Sequence, residues 1–197
     1  MPSASMTADA EELAIARFHR GIQAKMAVGE ALAAGVALAA ERIANTLLGD
    51  GHLLIVGLGC GRHLAALLHQ GVAHGFGFAR PALPALLLEP DCHGTAAEDD
   101  PLAARLRALG RPQDCLALIV PDPILPLARG VLRAAHSRDL PCIVLCGAAG
   151  AELALATPDI ELSAAAEHQT LTLEIQLSVI FALCELIERH LFGGSAT

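Results

Sequence analysis

The sequence predicts an α/β fold, a doubly wound parallel sheet with helices on both faces. Three observations lead there. Short runs rich in Leu, Ile and Val alternate with stretches of helical period. The runs are apolar throughout rather than at every second residue, the pattern of strands covered on both faces. One of them stops abruptly at Gly57, Gly59 and Gly61, and a helical pattern begins near Arg62, so that segment reads as buried strand, tight turn and helix.

Taken in order, residues 8–48 carry apolar side chains at three- and four-residue spacing, through Ile15, Phe18, Ile22 and Met26 and again through Leu32, Val36, Ala40, Ile43 and Leu47. Gly21, Gly29 and Gly35 interrupt the pattern, which fits one helix or two with a break. Residues 31–40 are small and apolar on most faces, as expected of a subunit interface. Gly49, Asp50 and Gly51 end the helix. Strands are expected at 52–57, 84–88, 115–120, 141–146 and 159–162, and helices at 62–74, 101–109, 125–137 and 149–155. A long final helix spans 165–191. Its part at 171–187 is apolar nearly all round, yet Glu174, Gln176 and Glu185 suit burial among helices better than a membrane.

Composition narrows the function classes. A chain of 197 residues is about one domain with room for a sizeable core. Without Trp or Tyr, that core is packed from small aliphatics. A formal charge of -8, with the thirteen Lys and Arg forming no run, argues against a nucleic-acid surface. The polar, acidic opening MPSASMTADAEE has no targeting character, so a cytoplasmic location is expected. Cys60, Cys92, Cys115, Cys142, Cys146 and Cys184 are scattered through mostly apolar runs and read as buried free thiols rather than disulfide or metal partners.

The chemistry-bearing residues each have two readings. N–H groups at the start of the helix after the glycine turn, with Arg62 and His63 beside them, could hold an anion, or the two side chains simply begin an exposed helix. The glycines stand at the first, third and fifth positions of the turn, so the dinucleotide fingerprint is incomplete. His69 and His74 fall on different helix faces. Asp91, Cys92 and His93 are metal-capable types, but no second ligand pair stands at zinc spacing. Glu98, Asp99 and Asp100 suit a helix start, Pro112 and Gln113 a turn. Cys142 and Cys146, four apart in a strand, share one face and belong to the core.

The order of a helical N-terminus, a glycine turn, RPALPALLLEPD, LRALGRPQD before a third strand, and a last helix ending LCELIERHLF resembles the SIS (sugar isomerase) domain family. It is most similar to the branch that holds the phosphoheptose isomerases and the DnaA initiator-associating proteins. The likeness runs from about Phe18 to Phe192 and rests on short motifs in order: RPALPA at 80–85, RALG at 107–110, SRDL at 137–140 and the final Leu191 and Phe192. It implies a flavodoxin-like strand order. It also implies a homotetramer, or at least a dimer, formed through an N-terminal helical segment at 1–48 and the last helix of an SIS domain at 49–197.

Departures from the family pattern carry the functional expectation. In phosphosugar-binding members the turn reads Gly-Asn-Gly-Gly/Thr-Ser, whereas this chain has Gly57, Leu58, Gly59, Cys60 and Gly61, followed by Arg62. The family's second, hydroxyl-rich phosphate loop aligns with Val120, Pro121, Asp122, Pro123, Ile124 and Leu125, where donors are lost and a negative charge is added. Each lost charge-assisted hydrogen bond is worth about 1.5–3 kcal/mol. The resemblance implies an acid-base or zinc set at Leu67, Gly71, Leu173 and Phe181, none of which transfers a proton or binds metal; a shifted register would bring in His69, Gln70, Glu174 or Gln176. No catalytic residue, metal or cofactor is therefore expected. The resemblance points instead to a scaffold that binds a DnaA-type initiator protein, with Leu191 and Phe192 as the partner-contacting end, alongside their plainer role in helix-end packing. The alternatives are a sedoheptulose 7-phosphate isomerase, a protein that binds a phosphosugar or another carbohydrate derivative, or a sensor for an uncharged or differently charged ligand in a vestigial pocket lined by Leu58, Cys60 and Ile124.

Overall fold

One continuous helix, α1 (Ala4–Leu48), opens the chain and runs through all three glycines. The computed structural model describes residues 4–76, 79–89, 100–121, 125–148, 150–153 and 155–193. The glycines do not break α1 because two of them are sites of close approach. A Cβ at Gly21 would collide with the Glu174 carboxylate, which sits between Arg17 and Lys25, and one at Gly35 would come within 2.9 Å of Leu162. Val36, Ala39, Ala40 and Ile43 turn inward, while Phe18 and Met26 stay exposed.

The strands β1 (Leu53–Gly57), β2 (Ala85–Leu88), β3 (Cys115–Val120), β4 (Cys142–Cys146) and β5 (Ile160–Ser163) form one parallel sheet in the order β2-β1-β3-β4-β5. That is the flavodoxin-like order the resemblance implied. The helices α2 (Gly61–His74), α3 (Pro101–Leu109), α4 (Leu125–His136) and α5 (Gln169–Phe192) complete it. Burial divides by strand parity: Leu53, Ile55, Ala117, Ile119, Ile143 and Leu145 pack under α1, α2 and α5, and Leu54, Val56, Leu116, Leu118, Cys142 and Val144 pack under α3 and α4. Every residue of β1, β3 and β4 is buried, which is why those strands read as unbroken apolar runs. By length and composition α1 and α5 each contain a stretch apolar enough to cross a membrane, and half of that of α5 is buried within the fold.

Two expected boundaries are corrected. The helix expected at 149–155 is only a short 3-10 turn, Gly150–Glu152, after which Leu153 dives into the core. The chain next turns at Asp159, whose carboxylate accepts hydrogen bonds from the Ala156 and Cys142 amides at 3.0 Å each, a local turn that competes with helix. The last helix begins at Gln169 rather than 165 because the Ala164 amide is still bonded to the Cys146 carbonyl at 2.8 Å, continuing the β4–β5 ladder.

The short motifs have structural work to do. Arg80, first residue of RPALPA, has a side chain only 1% exposed, donates to Glu188 Oε1 at 2.9 Å and to the Gly71 and Val72 carbonyls at 2.7 and 2.9 Å, and lies over the Phe192 ring at 5.7 Å. It staples the C-terminal end of α2 to that of α5. Asp114, last of RALGRPQD, is buried and accepts from the His52 and Arg111 amides at 2.8 and 2.9 Å.

Candidate functional site

The glycine turn is tighter than the sequence suggested. Gly59 takes φ +55°, in the left-handed region that favours glycine, and Cys60 precedes the first turn of α2 without capping it through its side chain. A Cβ at Gly57 would strike the Gly61 carbonyl; one at Gly61 would strike the Ile119 carbonyl and lie 2.8 Å from the Pro121 ring. The turn is thus pressed against the end of β3. Four of the amides in and after it have acceptors: Leu58 bonds Ile119 O at 3.0 Å, Gly61 bonds Leu58 O at 2.9 Å, and Arg62 and His63 bond back into the turn at 3.3 and 3.4 Å. The amides of Gly61, Arg62 and His63, at the start of α2 where an anion was expected, are engaged by the protein itself.

Leu58 corrects the pocket expectation. Its side chain is fully buried with Leu54, Val56, Leu88 and Leu102, between the sheet and α3, instead of lining a cleft. Cys60, Arg62 and His63 are exposed. Pro121 borders the nearest cleft, whereas Asp122, Pro123 and Ile124 lie outside the described residues, as do Asp91, Cys92 and His93.

That cleft, about 410 Å³, opens at the C-terminal ends of β3 and β4 beneath the first turn of α5. Val120, Pro121, Cys146 and Gly147 form its floor, and Glu152, Gln169 and Thr172 supply its polar side chains. A cleft outside the carboxyl ends of parallel strands is where open α/β sheets bind ligands. No periodicity in the sequence marked Glu152, Gln169 or Thr172; topology brings them together.

The positions implied for acid-base or metal chemistry do not converge on it. Leu67 is partly exposed on α2, and Gly71 abuts the Cys184 thiol and Phe76 so closely that a Cβ would collide with both. Phe181 meets Phe76 edge-on at 5.5 Å, and Leu173 packs against the core. In the shifted register, Glu174 is tied to Arg17 and Lys25, and Gln176 is fully buried, its Nε2 3.5 Å from the Leu145 carbonyl and its Oε1 without a partner. His69 and Gln70 sit on the outer side of α2, away from the cleft lining. At the end of α5, Leu191 packs against the core and Phe192 is 41% exposed beside Arg80.

Four described cysteines, Cys115, Cys142, Cys146 and Cys184, are buried, as the composition suggested, and Cys60 is exposed. Burial, above all, pushes the Cys115 thiol from the usual 9.0 to about 11 and those of Cys146 and Cys184 to about 12; Cys142 is raised too. A thiol whose pKa is raised on folding holds its proton in the native state after the unfolded chain has lost it. Stability is therefore whole below pH 9 and expected to fall as pH climbs from 9 towards 11–12, measurable by urea unfolding across that range under reducing conditions. Unchanged stability up to pH 11 would contradict the burial of these groups.

Fold and cleft together define a doubly wound α/β domain of the kind that binds small ligands at its strand ends, with long first and last helices packed on one face. No family model matches the chain. It is 31% identical over 189 residues to a phosphoheptose isomerase of Alkalilimnicola ehrlichii, covering 92% of this chain and 96% of that protein. It is 30% identical over 183 residues to the DnaA initiator-associating protein DiaA of Photorhabdus laumondii, covering 89% and 93%. Among solved structures, a phosphoheptose isomerase from Francisella tularensis superposes with a TM-score of 0.80 at 25% identity, over 91% of this chain and 98% of the other. The chain belongs to the SIS-domain family, in the branch of phosphoheptose isomerases and DiaA.

Proposed function

We propose that this chain is a non-catalytic, cytoplasmic SIS-domain scaffold, which assembles with copies of itself and displays several identical surfaces to a DnaA-type initiator, regulating replication initiation. The observation that carries the reading is the state of the glycine turn. Leu58 fills the core where the family pattern has Asn, Gly61 has no room for the family's Ser, and the amides of Leu58, Gly61, Arg62 and His63 are already bonded. With Leu67, Gly71, Leu173 and Phe181 at the other implied positions, an isomerase would lack both its phosphate grip and its proton carriers.

Self-assembly has its own support. Phe18, Ile22, Met26 and Phe181 are exposed along the α1–α5 face, beside an apolar groove between Val28, Leu32, Val36, Val179 and Leu186. Copies joined there would repeat one weak contact on a rigid frame and gain avidity. The half-exposed Phe192 is the partner anchor on this reading. A pull-down with the cognate initiator tests it: the intact assembly is expected to retain the initiator, and Leu191→Ala with Phe192→Ala to lose it while the oligomer persists. No retention by the intact protein removes the proposal.

The name phosphoheptose isomerase borne by relatives such as that of Alkalilimnicola ehrlichii favours a second reading, turnover of sedoheptulose 7-phosphate in the same cleft. Titration calorimetry with that sugar separates the two; micromolar binding would decide for the enzyme.

A further inference from the structure

We propose a metal site at the opposite end of the sheet from the cleft, built by His136, Cys142 and Asp159 and suited to a zinc-like divalent cation. The ligand atoms of these three side chains all lie within 4.8 Å of one another. Two of them stand at fixed ends of secondary structure, His136 as the last residue of α4 and Cys142 as the first of β4, with Asp159 just before β5. Along β4, Cys142 is about 13 Å from the cleft residue Cys146 at the usual rise of a strand. The site is therefore separate from anything the cleft binds.

The chemistry of the set is specific. Imidazole, thiolate and carboxylate are the ligands a borderline cation such as Zn²⁺ takes together, and in tetrahedral coordination they stand roughly 3–4 Å apart. His136 Nε2 and Asp159 Oδ2 are now 2.8 Å apart, a hydrogen-bond distance, so the metal replaces one shared proton and the two groups separate slightly. Asp159, with a side chain only 1% exposed, is aimed by the backbone: the Cys142 amide holds Oδ1 and the Ala156 amide holds Oδ2, each at 3.0 Å. Outer-shell support of this kind is what keeps a ligating carboxylate in place.

The balance of the step is simple. The Cys142 thiol gives its proton to solvent and binds as thiolate, the proton that His136 Nε2 shares with Asp159 passes by way of solvent to Nδ1 so that His136 binds as neutral imidazole, and Asp159 binds through one oxygen. Two negative ligands offset the two charges of the ion, leaving no net charge buried. His136, one-third exposed, provides the way in and leaves space for water as a fourth ligand.

Cobalt(II) titration of the full chain under reducing conditions tests the site. A thiolate-to-cobalt charge-transfer band in the near ultraviolet should rise and saturate at one equivalent per chain, and zinc should erase it. Cys142→Ser should abolish the band, and His136→Gln should weaken binding by at least about ten-fold. A Cys60→Ser, Cys92→Ser double variant should keep it, which separates this site from the exposed Cys60 and from Cys92. Absence of the band in the intact protein, its survival in Cys142→Ser, or its loss in the double variant each overturns the proposal; circular dichroism of every variant confirms that the fold is intact.

Discussion

Replacing Arg80 with Met should lower the unfolding free energy by about 3–5 kcal/mol, because it leaves the Glu188 carboxylate in a mostly buried position without its partner. Glu188 is only 13% exposed and Arg80 1%, so solvent does little to screen the loss. The substitution also strips a donor from the Gly71 and Val72 carbonyls at the end of α2 and removes the cation from the face of Phe192. For a chain of this length the melting temperature should drop by roughly 6–20 °C at fixed protein concentration. Arg80→Lys should fall between the two, since a single ammonium cannot reproduce the fork that reaches carboxylate and carbonyls at once. Combining Arg80→Met with Glu188→Leu should recover much of the deficit, as apolar replacement of both members of a buried pair usually does. A melting temperature unchanged in Arg80→Met would refute the staple.

Putting the family's residues back into the glycine turn should harm the protein without restoring phosphosugar binding. Leu58→Asn removes a fully buried aliphatic side chain and inserts an amide into the apolar cluster that holds Leu54, Val56, Leu88 and Leu102. The lost packing and the unpaired amide together should cost about 3–5 kcal/mol. Gly61→Ser drives a side chain into the Ile119 carbonyl and the Pro121 ring, with backbone rather than a flexible side chain in the way, so about 1–3 kcal/mol more is expected. Urea unfolding reads both costs, and calorimetry with sedoheptulose 7-phosphate reads function. A Leu58→Asn protein as stable as the parent that binds the sugar at micromolar concentration would mean the turn is still a ligand loop.

Much of the frame was legible in the chain. The helix at 101–109 and the strand at 115–120 agree with Pro101–Leu109 and Cys115–Val120 because their signals are local: an Asp100 cap ahead of Pro101, then an unbroken apolar run. Where local signals compete with distant partners, the reading slipped. Residues 149–155 have helical composition, yet Asp159 draws hydrogen bonds from Ala156 and from Cys142 across the sheet, and the chain turns instead. Gly21 leaves one helix or two equally open in the sequence, and only the Glu174 carboxylate from α5, which occupies the space a side chain would need, gives the glycine its reason.

The same division holds for the site. By itself the sequence determined which residues stand at the end of β1, because residue identity and short-range spacing are written in the chain, and the loss of the family's hydroxyls and proton carriers is what the resemblance implies on top of it. Only the tertiary structure decided that Leu58 points into the core, that Gly61 is clamped against β3, that Arg80 is buried on Glu188, and that His136, Cys142 and Asp159 meet. Each of those depends on how elements distant in sequence pack, and packing selects a side chain's direction from rotamers that the local backbone leaves nearly equal.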